Sequence, residues 1–190
     1  MPSEPPTDRD RRWAAQIRKG DRNAFEALFH AYVDQLYAFA AEHVEEPSAA
    51  EDVVQEVFCD LWERRSDWEP QGTVKAYLYR AVRNTALDRL DRRQVREKWE
   101  EEEKQEDRLR FEVGPANDVH QDQLREAMEE AVEDLPERQK LVYRLAHRHG
   151  LSYREIASAL GIARKTVENH MGRALQSLRR QLGTYASFLH

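Results

Sequence analysis

Arg164, Lys165, Glu168, Asn169 and Arg173 recur at the three- and four-residue spacing of one helix face. Val167, Met171, Ala174, Leu175 and Leu178 occupy the opposite stripe. Guanidinium and amide groups on an exposed ridge suit the base edges of the DNA major groove, where Arg pairs with guanine and Asn with adenine. With Arg154 and Thr166 they form a candidate contact set for duplex DNA. A second group is acidic: Asp52, Gln55 and Glu56 share the polar side of another amphipathic stretch. They are either a solvated face or a docking surface on which carboxylates take charge-assisted hydrogen bonds from a basic partner helix. In a third group, Tyr77, Arg80, Arg83 and Asn84 fall on one side at helical spacing. That is either a surface helix with a half-buried Tyr or a single-strand binder, with cations for phosphates and a ring for unstacked bases.

Each group needs a rigid element beneath it. In LSYREIASALGIARKTVENHMGR (residues 151–173), Ser152 and Glu155 predict a capping box that opens a short helix. Gly161 permits a sharp turn, Ile162 plugs the angle, and a second helix starts near Arg164: a helix-turn-helix. The acidic group sits on a helix that the spacing of Ser48 and Glu51 predicts as a second capping box, running to about Arg65, with Val54, Val57, Phe58, Leu61 and Trp62 inward. The Tyr/Arg group sits on a helix from about Thr73 to at least Arg93. Upstream, Arg11 to Lys19 is a short helix, and Asp21 caps a long one that buries Phe25, Leu28, Phe29, Tyr32, Leu36 and Ala40. Downstream, Asp122 to Asp134 carries a stripe of Leu124, Met128, Ala131 and Leu135, and Pro136 suits the first turn of the next helix. No strand pattern and no repeat is visible. The expected fold is all-α: two small helical domains joined by a flexible linker. The predicted boundaries are a disordered tail over 1–10, a first domain over 11–93, a linker over 94–121 and a helix-turn-helix domain over 122–184.

Charge is segregated. The net charge is −6, yet residues 138–180 hold ten Lys/Arg against two acids, while residues 42–69 hold ten acids against two Arg. Opposite patches point to two partners, a polyanion and a basic protein surface. Cys59 is the only cysteine, so no internal disulfide forms and a reducing cytoplasm is expected. No apolar run approaches membrane-spanning length. His147 and His149 stand two apart and point away from each other on a helix, which is poor spacing for zinc. No nucleophile motif, phosphate-binding Gly loop or metal-ligand spacing is present, so neither enzyme chemistry nor a cofactor is expected.

Three blocks stand in order: GDRNAFEALFHAYVDQLYAFA (20–40), AEDVVQEVFCDLWER (50–64) followed by TVKAYLYRAVRNTALDRLDRR (73–93), and DLPERQKLVYRLAHRHGLSYREIASALGIARKTVENHMGRALQSLR (134–179). With these the chain resembles a bacterial RNA polymerase sigma factor of the extracytoplasmic-function group, whose minimal members have two helical domains, regions two and four. The resemblance implies core RNA polymerase as partner. The face of Asp52, Gln55 and Glu56 would dock on the clamp helices of the largest subunit. The segment from Trp68 through Tyr77, Arg80, Arg83 and Asn84 to Arg92 and Arg93 would capture and melt the −10 element of promoter DNA. The helix Arg164 to Arg173 would read the −35 duplex, and its neighbours would hold the flap of the second-largest subunit. An anti-sigma factor is a further expected partner, and membrane insertion is not expected. The chain departs from the pattern at Ala163, a helix cap position where Ser is usual, which forgoes about 1 kcal/mol of capping. Glu168 stands where relatives often carry a base; an acid accepts from cytosine but repels phosphate. His170 adds a titratable group to the same helix.

Two rivals come from other classes. TVENHMGRAL also resembles the recognition helix of a LuxR-type regulator, which binds duplex as a dimer and leaves the AEDVVQEVF block without a purpose. A helical adaptor that binds only protein would lack the exposed Arg face.

Overall fold

The computed structural model describes residues 8–44, 46–100 and 119–186, with side chains over 9–44, 46–91 and 126–182. Among the described residues the chain is helical, without strands. Helix α1 (Asp8–Arg18) ends where Gly20 takes φ 85°. Helix α2 (Arg22–Ala41) opens on Asp21, whose carboxylate accepts from the Asn23 and Ala24 amides at 2.9 and 3.1 Å. Those are two of the amide groups that a helix start leaves without intrahelical partners. Helix α3 (Pro47–Glu63) begins differently from expectation. Glu46 is its N-cap, Pro47 is the first helical residue, and no side chain caps it. Proline's fixed φ and missing N–H suit that position, so the helix starts two residues early and Ser48 lies inside its first turn rather than capping it.

A 3-10 turn (Arg65–Asp67) leads into helix α4 (Val74–Glu100), where the Thr73 hydroxyl accepts from the Ala76 amide at 3.0 Å. The helix continues past Arg93, so residues 94–100 extend it. Residues 101–118, the middle of the expected linker, lie outside the described residues, as does most of the expected N-terminal tail. Helix α5 (Val119–Glu133) starts three residues earlier than expected. Its stripe is also shifted. Ala127, Ala131, Val132 and Leu135 are buried, whereas Met128 is 39% exposed. Helix α6 (Glu137–His147) has Pro136 at its N-cap rather than inside its first turn.

Helices α1 to α4 form one bundle around Leu28, Leu36, Phe39, Val53, Leu61, Leu78 and Val82. Helices α5 to α8 form the second, with α7 (Tyr153–Leu160) and α8 (Arg164–Ala186) as the helix-turn-helix. The bundles are packed together. One apolar cluster runs from Phe39 and Tyr79 of the first into Leu145, Leu151, Ile156 and Met171 of the second, and α4 lies along α7. Only the far end of the second bundle keeps a separate cluster, of Ala131, Val132, Leu135, Ala174 and Leu178. No helix among the described residues is long and apolar enough to cross a membrane.

Candidate nucleic-acid interface

The helix-turn-helix is built as its sequence dictates. The Ser152 hydroxyl accepts from the Glu155 amide, and the Glu155 carboxylate accepts in turn from the Ser152 amide at 2.9 Å, completing the capping box. Gly161 ends α7 in the left-handed conformation, φ 65° and ψ 33°, which only a residue without Cβ adopts freely. The Ile162 amide then bonds the Ala157 carbonyl at 3.0 Å, and its half-buried side chain packs into the angle. Val167, Met171, Ala174 and Leu178 anchor α8 inward.

That anchoring turns Arg164, Lys165, Asn169 and Arg173 outward, with Arg154 exposed on α7 and Thr166 half-buried. Two of these cations are engaged. Arg164 Nε sits 3.1 Å from Glu168 Oε1, and Lys165 Nζ 3.6 Å from Glu168 Oε2. Glu168 therefore tethers the front of the ridge. Such exposed pairs contribute a few tenths of a kcal/mol each and exchange readily with solvent. His170 is half-buried with no hydrogen-bond partner at Nδ1.

On α4, Arg80 and Asn84 are exposed, and Tyr77 and Arg83 are half-buried. Burial raises the Tyr77 phenol, keeping it neutral, and burial followed by the charge of Arg138 lowers the Arg83 guanidinium. Arg92 and Arg93 belong to α4, but their side chains lie outside the described residues. Trp68 takes a different place from the one expected. It is 5% exposed, a core residue whose ring meets Tyr77 edge-on at 5.7 Å between centroids. The large indole ring gains more from burial in that cluster than from solvent. It braces Tyr77, whose ring stays half-buried.

Asp52 and Gln55 are exposed on α3 beside half-buried Glu56. Their face carries a partner that sequence reasoning missed. Arg89, one helix away on α4, donates to Glu56 through Nε and Nη2 at 3.1 and 2.6 Å and reaches Asp52 at 3.3 Å. The Glu56 bonds raise the guanidinium's pKa and outweigh its burial, which lowers it. Arg89 stood out in the sequence only as one basic residue among several; a contact 33 residues away leaves no periodic trace. Next to these groups α2 and α3 enclose an apolar groove of about 730 Å³ lined by Phe25, Phe29, Val33, Tyr37, Phe58 and Trp62. Among the described residues no cluster of His, Cys, Asp or Glu has the geometry to hold a metal ion.

Known proteins share this arrangement. The Sigma-70 region 2 family model matches residues 28–96, and the Sigma-70 region 4 model matches residues 125–178. The ECF RNA polymerase sigma factor SigE of Mycolicibacterium smegmatis is 29% identical over 186 residues, 96% of this chain and 72% of that protein. The ECF RNA polymerase sigma factor SigW of Bacillus subtilis is 25% identical over 174 residues, 88% of this chain and 93% of that one. Among solved structures, CnrH in complex with the cytosolic domain of CnrY aligns with a TM-score of 0.64 at 24% identity, over 93% of this chain and 99% of that one. The sigma factor RpoE with the anti-sigma factor NepR from Bartonella quintana aligns at 0.61 and 23%, over 84% of this chain and 96% of that one. At these identities the structures establish the shared fold.

Proposed function

This chain belongs to the extracytoplasmic-function sigma factors of bacterial RNA polymerase, and from that premise we propose how its faces divide promoter recognition between them. Its function is to bring core polymerase to promoters. Asp52, Gln55 and Glu56 dock α3 on the clamp helices of the largest subunit, and the second bundle holds the flap of the second-largest. Arg154, Arg164, Lys165, Thr166, Asn169 and Arg173 read the −35 duplex, with Glu168 setting how freely Arg164 and Lys165 move. Tyr77, braced by Trp68, takes an unstacked base of the −10 element, while Arg80, Arg83, Asn84, Arg92 and Arg93 hold the strand's phosphates. Melting is driven by binding: bases that leave the stack are captured by ring and cation, with no covalent chemistry. The protein acts as a dissociable initiation subunit of the cytoplasm, not as an enzyme. The residues 11–93 and 122–184 act as the two DNA-reading units.

The observation that carries this reading is the separation of faces: exposed cations on α7 and α8, exposed carboxylates on α3. An anti-sigma factor is a fitting regulator, because the similar sigma factor RpoE is bound to the anti-sigma factor NepR and the α2–α3 groove offers apolar rings to an amphipathic helix. Replacing Asp52 and Gln55 with Ala is expected to weaken capture of core polymerase while leaving helix content unchanged. Replacing Arg164 or Arg173 with Ala is expected to erase the upstream part of the promoter footprint. Unchanged capture, or an unchanged upstream footprint, removes the corresponding assignment.

A further inference from the structure

Arg89 is the cation of α4 that faces the docking acids. Its Nε and Nη2 donate to Glu56 Oε2 at 3.1 and 2.6 Å, and its Nη1 reaches Asp52 Oδ2 at 3.3 Å. One guanidinium thus spans two carboxylates that lie a helical turn apart on α3. The acids are the more open members of the cluster. Side-chain exposure is 63% for Asp52 and 43% for Glu56, against 32% for Arg89. Asp52 Oδ1 and Glu56 Oε1 take nothing from Arg89, and an ionised carboxylate accepts several bonds at once. A second cation can therefore reach both acids from solvent while Arg89 is still in place.

Two cations on one pair of carboxylates repel each other, and the strength of each pairing decides which cation stays. A pair at an open surface holds weakly and exchanges with water. A pair enclosed in a protein–protein interface couples more strongly. Arg89 is the surface partner, so it is the one to leave. The helix it belongs to is the one proposed above to hold the −10 strand. Arg92 and Arg93 follow it at i+3 and i+4, the register of one helix face. A guanidinium freed in that row takes a phosphate in the same forked geometry as a carboxylate.

We propose that Arg89 is a further strand-binding residue of promoter recognition, held in reserve by Asp52 and Glu56 in the free protein and delivered to a −10 phosphate when a cation of the docking partner takes those carboxylates. The proposal deepens the docking and strand-binding roles given above and rests on them. It makes the two events reciprocal. Polymerase on α3 raises the affinity of α4 for the strand, and the strand on α4 raises the affinity of α3 for polymerase by the same factor.

The full-length chain tests it in a double-mutant cycle. Asp52→Asn with Glu56→Gln neutralises both acids and so reproduces their occupation without polymerase. Arg89→Gln is made in the unaltered chain and in that neutralised chain, with helix content checked by circular dichroism. The probe is a short fluorescein-labelled oligo(dT), because phosphate contacts carry no sequence information. Anisotropy is read over a series of KCl concentrations. Arg89→Gln is expected to leave the salt slope of the unaltered chain as it is. In the neutralised chain it is expected to flatten that slope by about 0.7, the signature of one lost single-strand phosphate contact. Both backgrounds lose the same unit of charge, so a general field effect cancels. Equal flattening in both backgrounds, or none in either, overturns the reserve. Capture of core polymerase by Arg89→Gln is expected to be about threefold tighter, from removal of a like charge about 7 Å from the incoming cation. Weaker capture would show that Arg89 positions the acids instead and would overturn its displacement. If the unaltered chain fails to capture core polymerase, the docking reading falls, while the oligo(dT) cycle still reports whether the acids hold Arg89 back.

Discussion

Glu168 is the residue of the recognition helix whose replacement has a calculable sign. It neutralises Arg164 and Lys165 at 3.1 and 3.6 Å on a surface where both cations are more than two-thirds exposed. Glu168→Gln keeps the shape of the side chain and removes its charge. Two effects follow. The helix loses one i,i+4 and one i,i+3 pair, a stability cost of about 0.5 kcal/mol. In the DNA complex, a carboxylate about 7 Å from a phosphate repels it by ~0.6 kcal/mol in a water-like dielectric, so its loss favours binding about threefold. The net charge of the ridge rises by one, and each added phosphate neutralisation steepens the dependence of log K on log salt by about 0.9. Fluorescence anisotropy of a labelled duplex, titrated with the full-length protein at several KCl concentrations, reads both quantities. Tighter binding with a steeper salt slope is expected, even on duplex without a promoter. Weaker binding by the variant would show that Glu168 accepts a hydrogen bond from a base or orients Arg164 for one, and would refute the view of it as a tether.

Ser152→Ala removes the hydroxyl that accepts from the Glu155 amide, and is expected to destabilise the protein by about 1 kcal/mol, a fall of roughly 2–4 °C in Tm; an unchanged calorimetric midpoint would show that the cap is dispensable. Glu42 gives the acid side of the stability profile. Burial raises its carboxyl, but the hydrogen bond and charge of His149 and the charges of Arg144 and Arg148 outweigh burial and hold it below the ordinary value. A depressed carboxyl stabilises the fold fully above the ordinary value near pH 4.5, and that contribution drains as pH falls through the lower folded value. Urea midpoints between pH 6 and 3.5 are therefore expected to fall more steeply for the unaltered chain than for Glu42→Gln, and parallel curves would contradict the assignment.

What the sequence made legible was local. The 3.6-residue stripe of α8, the Ser152–Glu155 box and the left-handed Gly161 all act within a few residues of each other, so their pattern survives in the string of letters. The family blocks carried the rest of the sigma assignment. What remained hidden depends on distant pairs. Trp68 reads as a member of the −10 capture segment, and only its contact with α4 shows it to be core. Met128 reads as part of a buried stripe, yet α5 meets the molecule chiefly along α8 and leaves that position outside. Arg89 meets Glu56 across 33 residues, and His149 meets Glu42 across 107. His149 could be weighed in sequence only as a metal ligand, and its spacing argued against that role without supplying another.

The opposite patches therefore have a reading that composition alone concealed. An acidic segment and a basic segment on one chain were expected to seek two external partners, but they also attract each other. Glu42 opens the acidic stretch of residues 42–69, and its partners Arg144 and Arg148 belong to the basic stretch of residues 138–180. The attraction is selective. Asp52 and Gln55 on α3 and Arg164, Lys165 and Arg173 on α8 stay on outer faces, clear of the junction between the bundles. Charges at the rim of an interface mainly set its salt dependence and its rate of formation, whereas the buried Phe39, Tyr79 and His149 set how long it lasts. A rise in salt would loosen the junction and DNA binding together, so salt cannot separate them. Removing Glu42 can, because that side chain belongs to the junction between the bundles and lies outside the Trp68–Arg93 segment and the helix-turn-helix.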